Sequence, residues 1–322
     1  MLTGVLLKIL ATLGFTAMGI AVRAAAPTCP VGEIVFFRSA FALVILLAWL
    51  RISGGFPHQL ATKRPLGHFG RGMSGSVGMF CNFLSLSLLP LADATAYFYA
   101  SPIFVTLIAA FALREKVHLT RWIAVSIGFS GVLAMLSGHF GLAGAKTGLA
   151  ETMEGLSAQG VGALVALGGA LFAALSIIQT RRLTISEHTG AIVFYFTCLT
   201  TFFGALVLLL AAIWPAGAPG AAFFAGQAYV APGSREWLAL VVVGVAGGSA
   251  QILNTMSYRY ADASLLASFD YLAMLWALLA SVAFFDEWPT SQVLFGATAI
   301  AVSGLLAVLG ERWARRRKMA LA

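Results

Sequence analysis

The feature that most constrains this chain is a series of long apolar stretches that almost lack charged side chains. Residues 158–178 and 190–213 contain no Asp, Glu, Lys or Arg. About 20 apolar residues in a helix suffice to cross the roughly 30 Å hydrocarbon core of a bilayer. Only 10% of the chain is charged, against about 25% in soluble domains, so a soluble fold would expose large apolar patches. The pattern predicts an all-α membrane protein.

Ten transmembrane helices are predicted from these stretches, with proline and glycine clusters between them. They cover residues 2–22, 31–50, 68–88, 92–112, 118–137, 158–178, 190–213, 236–256, 263–285 and 290–309. Pro102 falls inside the fourth span, where membrane helices tolerate a proline that bends them.

The distribution of Lys and Arg predicts the orientation of the chain. With the N-terminus inside, sixteen Lys and Arg residues fall on the cytoplasmic side, Arg71 among them, and three fall outside. Cytoplasmic loops carry an excess of these residues. Both termini are therefore expected in the cytoplasm, with residues 310–322 as a basic tail.

An internal repeat relates the two halves of the chain at an offset of 169 positions. Gly75-x-x-Gly78-x-x-x-Asn82 recurs as Gly244-x-x-Gly247-x-x-x-Gln251, Ala92-Asp93-Ala94-Thr95 as Ala261-Asp262-Ala263-Ser264, and Ser101 aligns with Asp270. Each copy holds five predicted helices, an odd number, so the second copy enters the membrane inverted. Inverted repeats are typical of alternating-access transporters, although a duplication could also build a static bundle.

Several short motifs resemble those of one transporter superfamily. They are Glu33-x-x-Phe36-Phe37-Arg38, Asp93-Ala94-Thr95, Ser101-Pro102-Ile103-Phe104, Leu113-Arg114-Glu115 and Gly128-x-x-Gly131-Val132-Leu133, with looser counterparts at Phe285-Asp286-Glu287 and Gly304-Leu305-Leu306. Together they resemble the drug/metabolite transporter superfamily, specifically its EamA-type ten-helix transporters. The resemblance implies EamA-type repeats at residues 1–137 and 158–309. It also implies transport of a small solute without ATP, but it does not select the solute.

Charged residues inside apolar spans are candidates for function, because placing a charge in a bilayer is costly. Asp270 lies about seven residues into the ninth span, and we expect it to bind a cationic group or to carry a proton. Arg38 is expected to contact a carboxylate of the protein or of a solute, or to extend toward the interface. Glu33 near the outer surface and Lys8 near the inner one are expected to act as gate or coupling residues, although Lys8 could also extend to the interface.

Uncharged polar and aromatic side chains in the spans form a second group of candidate substrate-binding residues. They are Asn82, Tyr97, Tyr99, Ser101, Gln251, Asn254, Tyr258, Tyr271 and Trp276. Amides need partners in lipid and so point inward, and aromatic rings can stack on a planar or cationic solute. Hydrogen bonds between helices and ordinary packing explain the same residues equally well.

The function predicted from these features is secondary transport of a small organic metabolite that is amino-acid-like, zwitterionic or cationic. The expected location is a bacterial inner membrane, and the expected mechanism is alternating access. Partners would be the small-molecule substrate and membrane lipids, with protons as an open alternative for coupling. No nucleic-acid partner is expected, and the chain would be a monomer or homodimer. Because no span carries a convincing catalytic pair, no catalytic residue, cofactor or metal is predicted. The alternatives are an intramembrane enzyme acting on a lipid-linked substrate, a passive channel and a membrane receptor.

Overall fold

The computed structural model describes residues 2–111, 119–139, 158–215, 224–260, 266, 269–270 and 272–321. Within these ranges the chain is helical without a β-strand, and it contains eleven α-helices and a 3₁₀ helix at His58–Leu60. The α-helices are α1 (Leu2–Ala25), α2 (Val31–Ile52), α3 (Pro65–Leu88), α4 (Leu91–Phe98), α5 (Ser101–Phe111), α6 (Leu119–His139), α7 (Ala158–Leu183), α8 (Thr189–Ile213), α9 (Ser234–Tyr260), α10 (Leu272–Phe285) and α11 (Ser291–Leu321). Tyr271, Asp262 and Glu115, which were singled out above, lie outside the described residues.

The fourth predicted span is interrupted beside its proline. Helix α4 ends at Phe98 and α5 begins at Ser101, with a turn at Tyr99 and Ala100 between them. Pro102 lacks a backbone N–H and its ring clashes with the preceding helical turn, which accounts for the break. The predicted bend is confirmed. Since α4 and α5 then form one span, the described helices make ten segments.

By length and composition, six of the described helical segments can cross a membrane. They are Leu2–Ala25, Val31–Ile52, Leu91–Ile108, Gln159–Leu183, Thr189–Ile213 and Ser234–Tyr260. Shorter apolar helices lie at Trp122–Met135, Leu272–Phe285 and Ser291–Leu306. Helix α3 is absent from both sets although it has 24 residues, because glycine, serine and charged side chains lower its hydropathy. Its buried face carries several of these, including His68, Arg71 and Ser74.

The helices turn their largest apolar side chains outward, as lipid-facing helices do. On α1, Leu2, Leu6, Leu10 and Leu13 are exposed, whereas the opposite face buries Lys8 with small residues. Exposed leucines at three- and four-residue spacing form a stripe along one side of a helix. This arrangement is expected of a multi-pass membrane protein, whose polar residues are enclosed by its own helices.

Small residues bring the principal helix pairs into close contact. Helix α1 lies along α9, α3 along α7, and α6 along α11. A Cβ added at Gly14 would lie 2.9 Å from the Cβ of Ala250, and one added at Gly131 would lie 2.8 Å from the carbonyl oxygen of Gly296. Such contacts allow the backbones to approach closely, which is how membrane helices gain packing energy. The pairs α1 with α9 and α3 with α7 lie beside a central cavity. Among the described residues, the pair α6 with α11 does not line it.

Candidate functional site

A cavity of about 540 Å³ lies at the centre of the helices. Side chains of α1–α5 and α7–α10 line it, together with Asp270 just before α10. At one end its lining residues Arg181 and Thr184 are exposed, whereas at the other end Leu86 and Leu91 are buried. The cavity is therefore open at the first end and closed at the second, and its size is that of a typical small-molecule site.

One charged group in the cavity is centred on Lys8 of α1, and we call it the lysine cluster. The Lys8 Nζ lies 2.7 Å from Asp270 Oδ1, donates a hydrogen bond of 2.7 Å to Asn254 Oδ1, and donates one of 3.3 Å to the Tyr258 hydroxyl. Asn254 and Tyr258 are four residues apart on α9, so they share the face that meets α1. Lys8 is only 1% exposed, and the carboxylate neutralises a charge that would otherwise be costly to bury.

A second charged group consists of Arg38 on α2 and Arg71 on α3, and we call it the arginine pair. The Cζ atoms lie 5.8 Å and 3.8 Å from the centroid of the Phe196 ring of α8. The two guanidinium carbons are therefore at most 9.6 Å apart, the sum of these distances. Arg38 lies seven residues after the start of α2, and Arg71 lies six residues after the start of α3. At a rise of about 1.5 Å per residue, each therefore lies roughly 10 Å from the start of its helix.

The arginine pair has few protein partners. Arg71 Nε donates a hydrogen bond of 3.2 Å to the Thr180 hydroxyl. Arg38 Nε, Arg38 Nη1 and Arg71 Nη1 are buried, and none has a hydrogen-bond partner in the part of the chain that the structure describes. Among the same residues, no carboxylate lies within ion-pair distance of either arginine.

Two glycines of the internal repeat lie against the arginine pair. A Cβ added at Gly75 would lie 3.1 Å from Arg71 Nη1 and 2.8 Å from a ring carbon of Phe196. One added at Gly247 would lie 3.2 Å from Arg38 Nε and 2.5 Å from the Met18 sulfur. Any larger residue at either position would displace a guanidinium group or the side chain that supports it. These glycines therefore make room for the arginines as well as for neighbouring helices.

The closed end of the cavity is held by a third charged group, which joins several helices. Arg23 Nη2 of α1 lies 2.7 Å from Glu287 Oε1, and Arg23 Nη1 donates a hydrogen bond of 3.1 Å to the Leu86 carbonyl oxygen of α3. Glu287 Oε2 accepts hydrogen bonds from the Leu91 backbone N–H of α4 and from the Ser281 hydroxyl of α10. Asp286, with φ of 53°, turns the chain sharply before Glu287. We call Arg23 and Glu287 the end clamp.

Most of the predicted site residues line this one cavity. They are Lys8, Arg38, Asn82, Tyr99, Ser101, Gln251, Asn254, Tyr258 and Asp270. Asn82 and Gln251 come from α3 and α9, the helices that carry the repeated glycine motifs. The role of these nine residues in binding stays a prediction, because their common location is equally compatible with packing between helices.

Three predicted site residues lie elsewhere, and a fourth lies outside the described residues. Glu33, expected near the outer surface, lies close to the start of α2 and outside the cavity lining; it is fully buried, and its Oε2 accepts a hydrogen bond of 3.2 Å from the Val230 backbone N–H. Tyr97 is fully buried in the apolar core. Trp276 on α10 is partly buried and does not line the cavity. The location of Tyr271 is not described.

The sequence prediction missed Arg71, which had been counted with the cytoplasmic residues. It is only 6% exposed and lines the cavity. Arg71 already fell within the predicted span 68–88, but only three residues from its start; helix α3 begins three residues earlier, at Pro65, so Arg71 lies deeper in the helix than predicted. The proline at the first helical position was the signal that could have corrected this boundary. Phe196 and Thr180 were missed because a single ring or hydroxyl in an apolar helix carries no distinctive pattern.

Comparison with known proteins adds a family and named relatives. The model of the EamA-like transporter family matches residues 2–137 and 160–309. The chain is 27% identical over 309 residues to a pseudopaline exporter, CntI, of Pseudomonas aeruginosa, covering 94% of each chain. It is 26% identical to an S-adenosylmethionine uptake transporter of Rickettsia conorii, covering 89% of this chain and 85% of the relative. It is 25% identical to a riboflavin transporter of Vibrio cholerae, covering 91% and 88%.

A solved structure supports the fold. A protein crystal structure matches 97% of this chain and 98% of its own with a TM-score of 0.63 at 20% sequence identity. Identity at this level supports the same architecture and says nothing of the solute. The matched family and the three relatives are transporters and not enzymes.

Proposed function

This chain belongs to the EamA-like transporter family, and on that premise we propose that it is a secondary transporter moving a small organic metabolite by alternating access. The observation that carries the proposal is the central cavity of about 540 Å³, open at one end and closed at the other by the end clamp. A transporter must expose one site to one side of the membrane at a time, and a one-ended polar cavity suits that requirement.

The inverted repeat is part of this proposal, with repeats at residues 1–137 and 158–309. Its support is the pairing of the helices. Counting α4 and α5 as one segment, α1 lies along α9 as α7 lies along α3, and α2 contacts α9 as α8 contacts α3. If each of the first five segments is replaced by its counterpart among the last five, and the reverse, the first pairing in each comparison becomes the second. The same exchange leaves the pairs α2 with α8 and α6 with α11 unchanged, because each pair joins a segment to its own counterpart.

We propose that the open end of the cavity faces the cytoplasm of a bacterial cell and that the protein lies in its inner membrane. This assignment rests on the excess of Lys and Arg on the cytoplasmic side. Of the sixteen counted there, Lys8 and Arg71 are buried beside the cavity, and the other fourteen still exceed the three outside. The structure then corresponds to an inward-open state, with the end clamp on the outer side. Residues 310–322 would form a basic cytoplasmic tail.

For the solute we propose only a chemical class. From the sequence alone it would be amino-acid-like, zwitterionic or cationic. The three relatives are named for three different solutes, so their names select none of these. Membrane lipids would surround the protein, which would act as a monomer or homodimer without nucleic acid.

Proton coupling is the open question to which Asp270 is most relevant. Its side chain is 32% exposed and forms the ion pair with Lys8, so a proton arriving through the cavity could reach the carboxylate and break the pair. If protons drive transport, Asp270→Asn abolishes flux driven by a pH gradient while solute exchange continues. Equal loss of both activities would assign Asp270 to the fold or to solute binding instead.

Transport by purified protein in liposomes without ATP tests the proposal. Liposomes loaded with a metabolite mixture should show saturable exchange of at least one solute, detected by mass spectrometry. Thr16→Trp, which places a large ring in the cavity, should abolish exchange, whereas Leu13→Trp on the exposed face of the same helix should not. Binding without flux, flux that never saturates, or chemical conversion of the solute would each contradict a secondary transporter.

A further inference from the structure

The arginine pair has no counter-ion at ion-pair distance in the part of the chain that the structure describes. Carboxylates that could have served are used elsewhere: Asp270 by Lys8, Glu287 by Arg23, and Glu33 by the Val230 backbone N–H. A buried cation without a partner is costly, and two such cations at most 9.6 Å apart add mutual repulsion. The contact with the Phe196 ring offsets only part of this cost.

The charge of the whole cavity also favours an anionic group. Among the described residues, its lining includes the four cationic side chains of Lys8, Arg38, Arg71 and Arg181 and a single carboxylate, that of Asp270. Since Lys8 already neutralises that carboxylate, three cationic groups remain unmatched within the lining. A solute that carried only positive charge would meet net repulsion there, whereas an anionic group would be attracted.

We propose that Arg38 and Arg71 form a subsite for an oxyanion group of the solute, a carboxylate or a phosphate, next to the Phe196 ring. The inference rests on the proposed function and narrows its substrate class to solutes with an anionic group. Guanidinium groups suit this role because their planar N–H donors match the paired oxygens of carboxylates and phosphates. The buried Nε and Nη1 donors of Arg38 and the Nη1 donor of Arg71, which have no partner among the described residues, supply such hydrogen bonds.

The position of the subsite also explains how it would take part in alternating access. Arg38 belongs to the first half of the chain near the start of α2, and Arg71 comes from the opposite end of the bilayer on α3. Phe196 and Thr180, which support them, belong to the second half, on α8 and α7. An anion held there would touch both halves near the midplane, where a transported solute must be handed from one side to the other.

Binding to the purified full-length protein in detergent tests the subsite. The probes are glutarate, succinate, inorganic phosphate and glycerol 3-phosphate, with glutaramide, succinamide, glycerol and choline as partners that lack the anionic group. At least one anion should raise the melting temperature in a saturable way, and the uncharged and cationic partners should not. A response to acids assigns a carboxylate, and a response to phosphates assigns a phosphate. No response to any anion, or an equal response to an anion and its amide, overturns the subsite.

Substitutions locate the response within the cavity. Arg38→Met and Arg71→Met should each weaken binding of the responding anion by about tenfold or more, since each removes charge-assisted hydrogen bonds. Arg181→Met, at the exposed mouth of the cavity, is the matched control and should weaken binding by less than about threefold, because its charge is screened by solvent. Should a methionine variant not fold, Arg38→Lys and Arg71→Lys keep the charge, remove the planar donors and should still weaken binding. Equal effects at Arg181 and the arginine pair overturn the subsite.

The two proposals fail separately. An anion that binds wild type, loses affinity in the arginine variants, and never crosses a liposome membrane keeps the subsite and overturns the transporter. A solute that wild type and both arginine variants exchange with equal affinity keeps the transporter and overturns the subsite.

Discussion

The lysine cluster and the arginine pair line the same cavity, yet among the described residues only the lysine cluster contains a neutralising carboxylate. Lys8 has a carboxylate at 2.7 Å and two further hydrogen-bond acceptors. Arg38 and Arg71 share one hydrogen bond and one aromatic ring between them. Both are almost fully buried, so burial alone does not distinguish them. The difference indicates that the lysine cluster is complete without a solute, whereas the arginine pair is complete only with an anion.

The strongest way to break this comparison is to remove the counter-ion from the lysine cluster. Asp270→Ala leaves the Lys8 ammonium buried without a counter-ion, which we expect to lower the free energy of unfolding by about 2–3 kcal/mol, below the full value for a buried pair because Asp270 is 32% exposed. Thermal unfolding in detergent measures the loss. The double variant Lys8→Met with Asp270→Ala should recover most of it, and Asp286→Asn is a matched carboxylate control on the same segment. A double variant as unstable as the single one would show that the pair is not the cause.

For the arginine pair, removing a charged side chain is expected to leave the free energy of unfolding unchanged or to raise it. Arg38→Met in solute-free protein removes a buried charge that has no hydrogen-bond partner for its Nε and Nη1, so stability should be unchanged or rise by up to about 1–2 kcal/mol. Arg71→Met should be closer to neutral, because it also loses the bond to Thr180 and the closer contact with Phe196. The same melting experiment without added anion checks both. Destabilisation by Arg38→Met as large as that by Asp270→Ala would mean that the arginine is structural.

The end clamp provides an intermediate case, since both of its side chains are 23% exposed. Glu287→Gln weakens an ion pair that solvent partly screens, so the loss of stability should stay near 1 kcal/mol or below. Its larger consequence should be functional, because the clamp holds α1, α3 and α4 together at the closed end. Hydrogen exchange at Leu86 to Leu91 should become faster in Glu287→Gln. Unchanged exchange together with unchanged transport would show that the clamp does not control this end.

The smallest effect is expected at Glu187, in the segment between α7 and α8. Burial alone would raise the pKa of Glu187, but a hydrogen bond from the Lys63 backbone N–H, with contributions from Thr62 and His68, brings the pKa below its usual value. A lowered folded pKa means that the ionised group stabilises the fold above its unfolded pKa, about 4.3. The contribution disappears as the pH falls through the folded pKa.

Glu187→Gln should therefore reduce the difference in the free energy of unfolding between pH 7 and pH 4 by less than about 1 kcal/mol, as measured by thermal unfolding at the two pH values. His188→Gln, at the next position and without a described ion pair, is the control. A pH dependence that is identical in wild type and Glu187→Gln would contradict the assignment.

Much of the fold could be predicted because apolar length is a local property of the chain. The start of α2, the end of α3 and the end of α8 agree with the predicted spans. Arg38 and Asp270 could be chosen as candidates because a charge within an apolar run stands out. Arg71 was not chosen, because the predicted span began only three residues before it and so placed it at the cytoplasmic end, whereas α3 begins at Pro65. The burial of Glu33 could not be predicted, because it depends on the segment near Val230 that covers this side chain.

By itself the sequence determined that this is a multi-pass helical protein of a transporter family, since hydropathy, motifs and the repeat can be read along one dimension. Only the tertiary structure decided which charges meet. Asn254 is 246 residues from Lys8 in the chain and 2.7 Å from it in space, and Arg71 meets Phe196 through the contact of α3 with α8. Pairing of buried charges depends on which helix faces share an interface, and helix packing alone brings them together. The same packing leaves the arginine pair without a counter-ion among the described residues.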